Sequence, residues 1–70
     1  MASDFRITLE ACRVNIQLSQ KEFAEKLGVS TATVSNWELG KTEPVLSQLR
    51  NISELTGIPM SYIYCPKHST

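Results

Sequence analysis

Residues 18–44 read LSQKEFAEKLGVSTATVSNWELGKTEP, and the punctuation of this stretch decides the fold. In Leu18-Ser19-Gln20-Lys21-Glu22-Phe23 the Ser19 hydroxyl can accept from the backbone N–H of Glu22, while Glu22 reaches back to the N–H of Ser19. This reciprocal capping box starts a helix at Gln20, and Leu18 before the cap can pack on Phe23 at the fourth helical position. Phe23, Ala24 and Leu27 give the helix one apolar face, and Gly28 supplies a left-handed end. Ser30 then caps a second helix over 31–39, which Gly40 ends. Two short helices joined by a turn of about three residues containing glycine form a helix-turn-helix pattern. Pattern alone does not separate a DNA-reading corner from an ordinary helical one.

Outward from that stretch the period stays helical. Thr8 can cap a first helix over about 9–16, with Leu9, Cys12 and Ile16 on one face. Lys41-Thr42-Glu43-Pro44 is a loop. A fourth helix follows over about 46–56, with Leu49, Ile52 and Leu55 recurring and Gly57 as its stop. Pro59 is tolerated in a first helical turn and opens a short last helix over about 60–63. Residues 65–70 read as a frayed tail. The expectation is one all-α domain over 1–70, with five helices and a core over about 8–64. Phe5-Arg6-Ile7 and Tyr62-Ile63-Tyr64 are the stretches that could be extended. They can pair as a two-stranded ribbon or stand as an arm and a helix end, and the sequence leaves both open.

Composition narrows the function. A 70-residue chain buries only about 60% of its unfolded surface, which leaves little room for a large enzyme with an enclosed pocket. The chain is 41% hydrophobic and 20% charged, as globular domains are. No apolar run spans a bilayer and no secretory signal opens the chain, so the expected location is the cytoplasm, with Cys12 and Cys65 reduced. Cys65 and His68 have a metal-like spacing, but a structural zinc site needs four ligands, so no metal is expected. Cys12 and Trp37 read as core residues, and Glu25, Lys26, Arg50 and Glu54 as solvated surface. His68 is the one histidine, and no nucleophile, base and orienter can be assembled around it. Seven Lys+Arg balance seven Asp+Glu, so nucleic-acid binding would need its charge concentrated on one face or its load carried by hydrogen bonds.

The third helix has a face that does not read as core. At about 100° per residue, Thr31, Ser35, Leu39, Ala32 and Asn36 fall within an arc of about 140°, opposite Val34 and Trp37. This outer arc is small and polar, whereas an idle surface helix carries Lys and Glu. Short side chains let a helix backbone approach another surface closely. The major groove of DNA, about 12 Å wide, admits such a helix, and the hydroxyls, the Ala32 methyl and the Asn36 amide can all meet base edges. Close packing on a helix of another protein is the other reading.

The same residues carry a resemblance. Leu18-Ser19-Gln20, Phe23-Ala24, Leu27-Gly28-Val29-Ser30, Trp37-Glu38-Leu39-Gly40-Lys41 and Pro44 resemble the phage repressor and Cro type of helix-turn-helix, the XRE-like family. The likeness continues through Leu49, Ile52, Leu55 and Gly57-Ile58 and covers about residues 8–64. It implies a five-helix domain that binds double-stranded operator DNA, usually as a homodimer. By that resemblance Gln20 contacts phosphate and braces a base-reading side chain. Thr31, Ala32 and Asn36 read bases, while Thr33 and Ser35 beside them meet phosphate. Lys41 and Thr42 lie along the DNA backbone, and Arg13 pairs with Glu38 to join helix one to helix three. Thr31 and Ala32 are shorter than the family's frequent Gln or Arg, and Leu39 stands where a polar residue is frequent.

The function expected is therefore a non-enzymatic, sequence-specific transcriptional regulator: a repressor, a Cro-like switch or a restriction-control protein. Lys21, Lys41, Gln20 and the capped helix ends, Ser30 among them, would position phosphates. No cofactor or small-molecule ligand is expected. Ile58, Met60, Tyr62 and Tyr64 exceed what a small core needs and mark the C-terminal region as the dimer contact. The alternative is an antitoxin or adaptor that uses the fold to hold another protein.

Overall fold

The computed structural model describes residues 6–64, which form β1 (Ile7–Thr8), α1 (Leu9–Asn15), α2 (Gln20–Leu27), α3 (Thr31–Leu39), α4 (Leu46–Thr56), a 3-10 turn (Met60–Tyr62) and β2 (Ile63–Tyr64). Each helix start has a local cause. Thr8 accepts from the N–H of Ala11 and Ser30 from that of Thr33, both at 3.0 Å. The Ser19–Glu22 box closes in both directions, at 3.0 and 2.8 Å. The Val45 side chain caps nothing, although the Gln48 side chain accepts from the Val45 N–H at 2.8 Å.

The turn between α2 and α3 is fixed by Gly28 at φ 74°. There the N–H of Gly28 bonds to Glu25 and that of Val29 to Ala24, the paired bonds of a Schellman ending. A Cβ on Gly28 would meet nothing within 4 Å, so the dihedral rather than crowding calls for glycine. Helix α1 ends without that residue: Gln17 itself takes the left-handed conformation, at φ 61°.

Leu9, Phe23, Ala24, Val34, Trp37 and Ile52 form the buried core, one or two from each helix, with Ile16, Leu18, Leu27, Val29, Leu55 and Ile63 packed around it. Cys12 is also buried. On α4, Ile52 and Thr56 are buried, while Leu49 and Leu55 are half-buried. Thr56 enters because its hydroxyl donates to the Ile52 carbonyl at 2.8 Å and accepts from the Ile58 N–H at 3.2 Å, so no buried donor is orphaned.

The expected fifth helix over 60–63 is not formed. Among the described residues there are four α-helices, and Met60–Tyr62 make a single 3-10 turn after Pro59. Ile63 then turns extended, at φ −79° and ψ 123°, and pairs in parallel with Ile7, as Tyr64 does with Thr8. A three-residue turn cannot propagate an α ladder, while β-branched Ile63 and aromatic Tyr64 suit a strand. Of the two readings left open for these stretches, residues 7–8 and 63–64 take the ribbon, and the fold is helical with this one addition. Phe5, the expected tail at 65–70 and the Cys65–His68 spacing lie outside the described residues.

Candidate nucleic-acid interface

Helix α3 is held by its inner face. Val34 and Trp37 are buried, at 0% and 2% exposure. The opposite arc is open: Thr31 and Ala32 are exposed and Ser35 and Asn36 half-buried. Among the described residues, the side-chain polar groups of Thr31, Ser35 and Asn36 make no hydrogen bond, so they remain available to an outside partner. Thr33 differs, because its hydroxyl lies 2.8 Å from that of Ser30 and belongs to the helix cap. Leu39, on the same outer arc, is 65% exposed and is the largest apolar group on that face.

Lys21, at the start of α2, and Lys41 and Thr42, just beyond α3, are exposed. Gly40 ends α3 at φ 78°, and the N–H groups of Lys41 and Thr42 both turn back to the Asn36 carbonyl, at 2.9 and 3.4 Å. The loop therefore leaves from the foot of the outer arc.

A partly buried polar cluster ties three helices together behind this face. Arg13 on α1 donates through Nε to Glu38 Oε2 at 2.7 Å and through Nη2 to Oε1 at 3.2 Å. Its Nη1 donates to the Leu18 carbonyl at 2.8 Å, just before the α2 cap. The two side chains are 11% and 5% exposed. Hydrogen bonding to Glu38 is the main reason the Arg13 pKa is raised further, with charge attraction from Glu38 and Glu10 adding to it against the opposing effect of burial. Gln20, the first residue of α2, joins the same carboxylate: its Nε2 donates to Glu38 Oε1 at 2.9 Å. No residue pattern announces that last contact, which depends on how α2 and α3 cross.

The exposed and half-buried candidates Gln20, Lys21, Ser30, Thr31, Ala32, Ser35, Asn36, Lys41 and Thr42 thus belong to α2, α3 and the turns that bound α3. Among the described residues no cluster of His, Cys, Asp and Glu could hold a metal ion, and no helix is long and apolar enough to cross a membrane.

Known proteins share the helix-turn-helix sequence. The helix-turn-helix family model matches residues 9–63. An uncharacterized HTH-type transcriptional regulator of Bacillus subtilis, YqaE, is 34% identical over 59 residues, covering 84% of this chain and 51% of that protein. The SPbeta prophage-derived uncharacterized HTH-type regulator YonR of the same organism is 30% identical over 61 residues, covering 87% of this chain and 56% of that protein. The HTH-type transcriptional activator BcrR of Enterococcus faecalis is 34% identical over 55 residues, covering 79% of this chain and 27% of that protein. The chain thus spans about half the length, or less, of these curated relatives. No solved structure matches it significantly. With capped helices set across a glycine turn, an open polar arc on the second of them, and a match over almost all of the described residues, the chain belongs to the XRE-type helix-turn-helix family.

Proposed function

We propose that this chain is a sequence-specific double-stranded DNA-binding module of a transcriptional regulator, of the phage repressor or Cro type, and that it performs no catalysis itself. The observation that carries the reading is the outer arc of α3. Thr31, Ala32, Ser35 and Asn36 stand on a helix locked from behind by Val34 and Trp37, with the side-chain polar groups of Thr31, Ser35 and Asn36 unspent among the described residues. In the major groove, Asn36 would pair with an adenine edge, and Ala32 and Leu39 would meet thymine methyls. Lys21, Lys41, Thr42 and Gln20 would meet phosphates, with Ser30 and Thr33 holding the end of α3 that enters the groove. Its being prophage-derived, as one relative is named, belongs to the same proposal.

The chain acts on DNA as a homodimer. One recognition helix reads too few bases to be selective, and two related by a two-fold read half-sites about 34 Å apart. The C-terminal region supports this: Tyr62 is 43% exposed, and Ile58, Met60 and Tyr64 are half-buried beside it in sequence.

Selection of bound duplexes from a random-sequence pool, followed by gel shift across a salt series, tests the reading. Enrichment of a two-fold-symmetric site is expected, with two protomers per site by sedimentation. Binding without sequence enrichment, or no binding at all, would refute it.

A further inference from the structure

We infer that Glu38 is a positioning residue for DNA binding: it fixes the orientation of the Gln20 amide, and Arg13 makes that acidic anchor tolerable beside a polyanion. The inference rests on the DNA reading and adds to it a role for a pair that otherwise serves only to join helices.

The chemistry of the contact dictates the orientation. A carboxylate can only accept, so the Gln20 group that lies 2.9 Å from Glu38 Oε1 must be its NH2. Turning the amide over would set two oxygens against each other. One N–H is thereby spent on Glu38, and the second N–H and Oε1 are left. Gln20 is half-buried at the first position of α2, so what remains can face outward. The spare N–H is a donor suited to a phosphodiester oxygen, which only accepts. A long flexible side chain is thus ordered before DNA arrives, which removes part of the entropy cost of the contact.

Arg13 supplies the second half of the device. An acidic residue behind a DNA-facing surface would repel phosphate, and this one is only 5% exposed, where screening is weak. Two N–H groups of Arg13 neutralise it at 2.7 and 3.2 Å, and a third binds the Leu18 carbonyl at 2.8 Å, which holds the guanidinium to the start of α2. The carboxylate accepts three hydrogen bonds in all, so Gln20 is held by a hub that cannot rotate away without breaking the other two.

The test is a cycle of variants on a duplex that the parent protein selects from a random-sequence pool. Gln20→Ala should weaken binding by the parent about tenfold per half-site, the scale of one charge-assisted hydrogen bond. Arg13→Met/Glu38→Met removes the anchor while filling its space with apolar atoms. In that background Gln20→Ala should cost about twofold or less, because an unanchored amide contributes little. Equal losses in both backgrounds would overturn the inference and leave the DNA reading standing. Failure of the parent to select any duplex would overturn both. A second measurement needs no variant to fold: in the free parent, one side-chain amide proton of Gln20 should resonate downfield and exchange slowly. A Gln20 amide pair at random-coil positions would overturn the inference.

Discussion

Replacing two neighbours on α3, Asn36 and Trp37, should separate recognition from folding. Trp37 is 2% exposed at the centre of the core, so Trp37→Ala deletes a buried indole and leaves a cavity that costs about 3–5 kcal/mol. Total stability for a chain of this length, at roughly 0.05–0.15 kcal/mol per residue, is about 3.5–10 kcal/mol. The variant should therefore melt at least about 12 °C lower, and it falls near its unfolding midpoint if the parent lies at the weak end. Asn36 sits about 100° around the helix, half-buried, and no described residue holds its side-chain amide. Its backbone carbonyl, which receives the N–H groups of Gly40, Lys41 and Thr42, is kept in alanine. Asn36→Ala should thus shift stability by no more than about 0.5 kcal/mol, since alanine is the better helix former. Its cost should appear in binding: about 1–3 kcal/mol per half-site on the selected duplex, with little change on unrelated DNA. Trp37 is the only tryptophan, so the melts are followed by circular dichroism, and binding by anisotropy of labelled duplex. An Asn36→Ala protein that binds its selected site as the parent does would show that the reading face is elsewhere. A Trp37→Ala protein melting within a few degrees of the parent would contradict the packing.

Lys41→Ala should weaken all duplexes alike and reduce the salt dependence of binding by about one unit of slope per protomer, measured by titration at several ionic strengths. Val45→Asp should stabilise the chain by about 1 kcal/mol in chemical denaturation, because Val45 caps α4 with no acceptor and is exposed. The Glu22 carboxyl lies below the usual glutamate range, chiefly because it accepts from the Ser19 N–H, with the Ser19 hydroxyl and Lys26 adding to the effect. Its contribution to stability is full above the unfolded-state value and is lost as pH falls through the lower folded value. Glu22→Gln keeps an acceptor for Ser19 but no titrating proton, so the variant's loss of stability in acid should be shallower than the parent's in pH-dependent melts.

How much of this was legible in the sequence depended on range. The ends of α2 and the start of α3 were readable because Ser19, Glu22, Gly28 and Ser30 act on backbone within a few residues of themselves. The outer arc was readable because a helix repeats at a fixed angle, and Val34 and Trp37 set its origin. Ile63 and Tyr64 allowed both a helix end and a ribbon, because the choice rests on a strand partner many residues away. The end of α1 was also hidden, because Gln17 takes a conformation that its side chain does not announce. Arg13 with Glu38 was anticipated through resemblance, but the attachment of Gln20 to the same carboxylate needed the crossing of two helices.

The parallel ribbon has a kinetic consequence. Its register joins Ile7 to Ile63, so forming it closes nearly the whole described chain into one loop. For a free chain of that span the closure entropy is about 3–4 kcal/mol, more than two short paired strands can repay. The ribbon therefore cannot nucleate folding. It should form once α1 and α4 have docked and brought its halves within reach, on the native side of the folding barrier. Changes at Ile7 or Ile63 that leave the helical core intact should accelerate unfolding while hardly altering the folding rate. The ribbon amides should also exchange with solvent through local openings that leave the core protected. With the latch opened and Thr8 kept as the cap of α1, the four helices and their order of assembly should persist, and the chain would lose lifetime rather than shape.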